Sequence, residues 1–80
     1  MKELVEFIVK ALVDNPDEVR VGMFEDRTGT IIELGVAADD MGRVIGKHGR
    51  VINSIRALVQ VSAAKVGKRV NLEVLEADRG

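Results

Sequence analysis

Eighty residues with 12 Lys and Arg, 13 Asp and Glu, one His and no Cys predict a single domain over 1–80. A disulfide framework and a zinc site are excluded, no metal or cofactor is expected, and a partner subunit becomes the natural aid to so small a core. Apolar content of 46% and charged content of 31% fit a globular chain. Acidic residues interrupt the start, and no apolar run approaches the roughly 20 residues that a membrane span needs, so the expectation is a cytoplasmic protein with no membrane partner.

The near-zero net charge of −1 conceals a strong asymmetry. Residues 1–40 carry ten acids and four bases, whereas 41–72 carry no acid and seven bases: Arg43, Lys47, Arg50, Arg56, Lys65, Lys68 and Arg69. Opposite charges segregated along a chain can form a locally positive surface on a nearly neutral protein.

In chain order, residues 2–13 read as an amphipathic helix with Leu4, Ile8, Ala11 and Leu12 at helical spacing and Val5 beside them. Asp14-Asn15-Pro16-Asp17 stops it, because proline disfavours helix at the residue before it. From Val19 the period becomes two, with Val19, Val21 and Met23 alternating with Arg20, Gly22 and Phe24. A turn over Glu25–Gly29 leads to a second alternating run, Thr30, Ile32, Leu34 and Val36 against Ile31, Glu33 and Gly35. The pair reads as a hairpin.

Asp39-Asp40 is placed to cap a short helix through Met41–Ile45. Gly46-Lys47-His48-Gly49 interrupts the helical pattern. A long helix then runs from about Arg50 to Val66, with Val51, Ile52, Ile55, Leu58, Val59, Ser62, Ala63 and Val66 on one broad stripe. Gly67 is placed to end it. Val70, Leu72 and Val74 alternate with Asn71, Glu73 and Leu75 as a third strand, and 77–80 reads as a frayed tail. Helix, strand, strand, helix, helix, strand predicts a two-layer α+β domain with a three-stranded sheet and its three helices on one face.

Two glycines three apart are a weak signal alone; their setting strengthens this one. The pair lies between two apolar helices, its middle residues are Lys47 and His48, and Arg43 and Arg50 flank it. Glycines permit a tight turn and close backbone approach, and a helix N-terminus attracts anions. These ingredients suit a loop that grips a sugar-phosphate backbone.

Val44-Ile45-Gly46-Lys47-His48-Gly49-Arg50-Val51-Ile52 resembles the V-I-G-x-x-G-x-x-I signature of KH domains without a gap. The element order is similar to the type II, or prokaryotic, αββααβ arrangement over about residues 2–76, closest to small stand-alone bacterial KH proteins. That resemblance implies a fold and a function. KH domains hold about four single-stranded nucleotides, the Gly-x-x-Gly loop clamping their backbone, with bases in a groove beside the two motif helices and the neighbouring strand. The RNA-binding residues it implies are Arg43, Val44, Ile45, Gly46, Lys47, His48, Gly49, Arg50, Ser54 and Arg56. It further implies an RNA chaperone or post-transcriptional regulator, and as partners single-stranded RNA, a homodimer, and a heterodimer with a larger KH-containing protein. A chain with no Trp or Tyr and only Phe7 and Phe24 lacks the aromatic platforms of other single-strand binders.

Other readings of the same residues bound this one. Ile45 and Ile52 also suit core support for the loop, and Arg56 suits either the groove or solvent. Lys65, Lys68 and Arg69 suit solubility or a peripheral phosphate. Ser54 and Ser62 have no evident base, so nucleophilic catalysis lacks support and no enzyme is expected. Gly46-Lys47 fails as a P-loop, because His48 stands where Ser or Thr would hold magnesium. The turn length also suits a helix-turn-helix, but Arg50-Val51-Ile52 puts apolar residues where a DNA-reading helix needs polar ones. The main alternative is a protein-pairing module, with Leu58, Val59 and Val61 as its dimer interface, since the long helix carries more apolar surface than one sheet can cover.

Overall fold

The computed structural model describes residues 1–75, so the frayed tail expected over 77–80 lies outside the described residues. The elements form in the predicted order: α1 (Lys2–Leu12), β1 (Arg20–Asp26), β2 (Gly29–Gly35), α2 (Met41–Ile45), α3 (Arg50–Ala64) and β3 (Val70–Val74). Short 3₁₀ turns at Pro16–Glu18, Ala38–Asp40 and Lys47–Gly49 join them. The sheet is mixed, in the order β1-β2-β3. β1 and β2 form an antiparallel hairpin, whereas β3 returns parallel to β2 after the crossover through α2 and α3. Among the described residues no helix is long and apolar enough to cross a membrane.

Register decides which side chains meet the helices. Met23, Ile32 and Leu72 lie in one cross-strand row, and Val21, Leu34 and Val74 in the next. Ile32 and Leu34 are wholly buried from the central strand, and Leu72 nearly so. Val5, Val9, Val44, Ile52, Ile55, Val59 and Ala63 close over them from the three helices. Each buried Val, Leu or Ile side chain among them contributes roughly 1.5–3 kcal/mol by leaving water. The opposite sheet face carries Arg20, Gly22, Phe24, Ile31, Glu33, Asn71 and Glu73.

Two expected helix faces are rotated. In α1 the buried row is Val5 and Val9, continued by Val13, while Leu4 and Ile8 are half-buried and Leu12 is exposed. This helix is apolar on most sides. The row of slender β-branched residues at spacing four packs inward, leaving Phe7 75% exposed. In α3 the buried row is Ile52, Ile55, Val59 and Ala63; Leu58, expected on the same stripe, faces outward, as does Val66 beyond the last helical turn. α3 also ends slightly earlier than expected. The Lys68 amide donates to the Ala63 carbonyl (2.9 Å) and the Gly67 amide to Ala64 (3.0 Å), the paired bonds of a Schellman stop. The hairpin turn is tighter than expected, only Arg27 and Thr28 lying between paired Asp26 and Gly29. The Asp26 carboxylate accepts from the Thr28 amide (2.8 Å) and hydroxyl (2.7 Å). These bonds, the hydroxyl's above all, hold its pKa below the usual value.

Candidate nucleic-acid interface

The Gly46–Gly49 turn is shaped by backbone conformations that ordinary residues avoid. Gly46 has φ 76° and ψ 171°, a region essentially restricted to glycine. A Cβ there would also lie 2.4 Å from Val51 Cγ2, so the chain doubles back directly on the first turn of α3. His48 (φ 58°) and Gly49 (φ 74°) are both left-handed. The Gly49 amide donates to the Gly46 carbonyl (3.1 Å) and the Arg50 amide to that of Lys47. The Gly49 and Arg50 amides are therefore used inside the turn. What remains at the crest is two cations and an imidazole: Lys47, Arg50 and His48 are exposed, and no side chain caps the positive end of α3.

Behind the crest the other expected residues divide. Val44 is fully buried and belongs to the core, not to a binding surface. Ile45 and Ile52, half-buried and buried, brace the turn from within. The Ser54 hydroxyl donates to the Arg50 carbonyl (2.8 Å), a bond internal to α3. Arg56 is half-buried; its Nε donates to the Leu72 carbonyl (3.1 Å) and its guanidinium also donates to Asn53 Oδ1 (3.2 Å). It thus ties α3 to β3, where helix and outer strand edge meet. Arg43 faces acids: its guanidinium lies 2.9 Å from Asp14 Oδ2 and 3.7 Å from Asp40 Oδ1. Much of its charge is answered within the protein.

Asp40 departs furthest from expectation. It occupies the N-cap position of α2, yet its side chain makes no capping bond. Fully buried, it reaches back to the end of α1. There it accepts from the Asp14 amide (3.0 Å), the Asn15 amide (3.0 Å) and Asn15 Nδ2 (3.0 Å). The Asp14 amide above all, with both Asn15 donors and Arg43, holds its pKa below the usual carboxylate value against the opposing effect of burial. No local spacing signals this arrangement, because the partners lie 25 and 26 residues away. Asp40 anchors the start of α2, and through α2 the position of Gly46.

Of the expected pairing residues, Leu58 and Val61 stand 55% and 59% exposed one turn apart on α3, whereas Val59 is 1% exposed and forms part of the core. Val59 is removed from any interface. Lys68 and Arg69 line a shallow hollow with Gln60 and Asn71, beyond Arg56 along the same flank of α3 and β3. A concavity of about 630 Å³ lies elsewhere, against Arg20, Gly22, Glu33 and Gly35 of the bare sheet face.

Residues 2–74 match the family model described as KhpA/KhpB, KH domain. A protein of Caldanaerobacter subterraneus subsp. tengcongensis named RNA-binding protein KhpA is 53% identical over 75 residues, covering 94% of this chain and 100% of the relative. The Borreliella burgdorferi protein of the same name is 49% identical, covering 92% and 90%. That of Aquifex aeolicus is 45% identical, covering 95% and 96%.

Proposed function

From the premise that this chain belongs to the KhpA/KhpB family of KH domains, we propose that it binds single-stranded RNA, gripping about four nucleotides by their backbone at Gly46–Gly49. The observation that carries this reading is the exposed pair Lys47 and His48 at the crest of a turn whose backbone is committed to its own fold. The crest adds Arg50 and the positive end of α3, which together favour phosphate. Bases would lie along the seam between α3 and β3 where Arg56 sits, with Ile45 and Ile52 supporting the loop. Gly46 and Gly49 give the turn its shape, Arg43 and Ser54 contribute less because both are engaged within the protein, and Val44 acts only from the core. Such a clamp supplies affinity without chemistry, consistent with a non-enzymatic RNA chaperone or post-transcriptional regulator working in the cytoplasm.

The test is the double substitution Lys47→Asp with His48→Asp. Both side chains are exposed, so the folded double variant should keep its melting temperature while its affinity for a short single-stranded RNA falls at least tenfold. Unchanged affinity would remove the clamp assignment. For the native chain, contacts to three or four phosphates predict a slope of log affinity on log salt of roughly −2 to −3.

A second reading rests on exposed Leu58 and Val61: α3 pairs with a second copy or with a larger KH-containing protein. Leu58→Asp should leave the fold intact and dissociate such a pair in light scattering. Pairing there is compatible with RNA at the turn.

A further inference from the structure

Strand β1 ends the sheet, and among the described residues it pairs with β2 alone. Met23 and Phe24, at its centre, are 49% and 55% exposed. Folded proteins generally cover such an edge or blunt it, because its free amides and carbonyls invite another strand. Antiparallel strands alternate between residue pairs that exchange both hydrogen bonds and pairs that exchange none. Asp26 and Gly29 close the hairpin, so Asp26, Phe24, Gly22 and Arg20 bond inward to β2. The Thr30 amide, across from Glu25, accordingly donates away from β1, to the Arg69 carbonyl (2.9 Å). The backbone groups of Val21, Met23 and Glu25 therefore point outward from the edge.

The side chains along this edge are complementary to themselves. Arg20 and Asp26 stand at opposite ends of the strand, each three residues from Met23 and on the bare sheet face. We infer that β1 docks against β1 of a second copy, antiparallel about a two-fold axis through Met23, extending one sheet across both subunits. In this register Met23 faces Met23, Val21 faces Glu25, and Arg20 of each copy faces Asp26 of the other. The outward groups of Val21, Met23 and Glu25 then satisfy one another. Sliding by two residues sets Arg20 against Phe24 or Thr28 and breaks both ion pairs, so charge selects the register. Exposed ion pairs add little strength; covering Met23 and Phe24 adds more.

Phe24 meets Gly22 of the second copy. Within one chain the Phe24 ring leans toward Gly22, 3.2 Å from where a Cβ would stand. The missing side chain lets the Phe24 ring of the same chain fold over Gly22, and the second copy's ring packs against that ring. Leu58 and Val61 belong to a different element, so this interface is independent of pairing through α3, and it does not rest on RNA binding.

The chain has no cysteine, which permits a direct test on the full chain. Met23→Cys places two thiols on the axis with Cα atoms about 5.5 Å apart, within disulfide range. Under mild oxidation this variant should form covalent dimer at least tenfold faster than Arg27→Cys, an exposed position off the axis. Adding Arg20→Glu should slow Met23→Cys coupling severalfold. Equal rates at positions 23 and 27, or coupling only through Leu58→Cys, would overturn the proposal; indifference to Arg20→Glu would overturn the register. The native chain gives a check free of substitutions: the Val21, Met23 and Glu25 amides should exchange more slowly with deuterium as protein concentration rises. Concentration-independent exchange at all three would overturn pairing at this edge.

Discussion

On its underside the Gly46–Gly49 turn is packed as tightly as the core: Gly46 lies against Val51, Val44 is fully buried, and Asp40 anchors the helix leading in. On its crest Lys47, His48 and Arg50 touch water. The two sides lie within a few residues of each other and obey different rules. Below, shape is decisive and a single methyl group is too much; above, charge is decisive and shape is already fixed. For the RNA clamp proposed above, a turn that is already rigid would leave little ordering to the moment of binding.

The contrast breaks first at Gly46. Gly46→Ala must relieve both a glycine-only backbone and overlap with Val51, and should destabilise the fold by about 3–5 kcal/mol. Thermal denaturation measures this; a loss below about 1 kcal/mol would mean the underside is soft. Asp40→Asn keeps the shape of the buried group but puts a donor among the Asp14 and Asn15 amides, and should lower the melting temperature by on the order of 10 °C at pH 7. Its pH dependence has a definite sign. A carboxyl whose native pKa is depressed contributes stability that is whole above its unfolded value near 4 and is lost as pH falls through the lower native value. The gap between native and Asp40→Asn melting temperatures should therefore narrow below about pH 4.

Gly49→Ala sharpens the comparison, because a Cβ there meets only ordinary contacts, 3.7 Å from Asn53 Nδ2. Only the left-handed backbone resists it, so the loss should be about 1–2 kcal/mol, well short of Gly46→Ala. The smallest effect on stability belongs to Lys47→Asp with His48→Asp, expected within about 0.5 kcal/mol of native although it should weaken RNA binding most. A double variant that melts far below the native chain would erase the division between the two sides.

Much of this arrangement was legible in the sequence. Element order followed from the switch between periods near 3.6 and 2, and the turn from Gly46 and Gly49 with basic residues between and beside them. What escaped was what depends on partners distant in the chain. Val5 and Val9 could not be ranked above Leu4 and Ile8 while α1 was apolar on most sides. Val59 could not be separated from Leu58 and Val61 until α3 was rotated against the sheet. Asp40 read as a helix cap because its place in the sequence suits one, and only the fold brings the Asn15 amide within reach. Arg56 likewise gains its role from a β3 carbonyl sixteen residues on.

The Asp40 carboxylate also acts as a clasp. By holding Asn15 across a separation of 25 residues, it closes a loop containing the whole β1–β2 hairpin, in a chain without cysteine for a covalent link. A disulfide would restrict the unfolded chain as well as the folded one. The clasp restricts only the folded chain, and a proton opens it. The chain itself joins the hairpin to α1 and to α2, and the clasp adds a reversible bond between those two joints. Below about pH 4 the clasp should open and loosen the end of α1 from the start of α2, while β2, central in the sheet and buried through Ile32 and Leu34, keeps the hairpin in place.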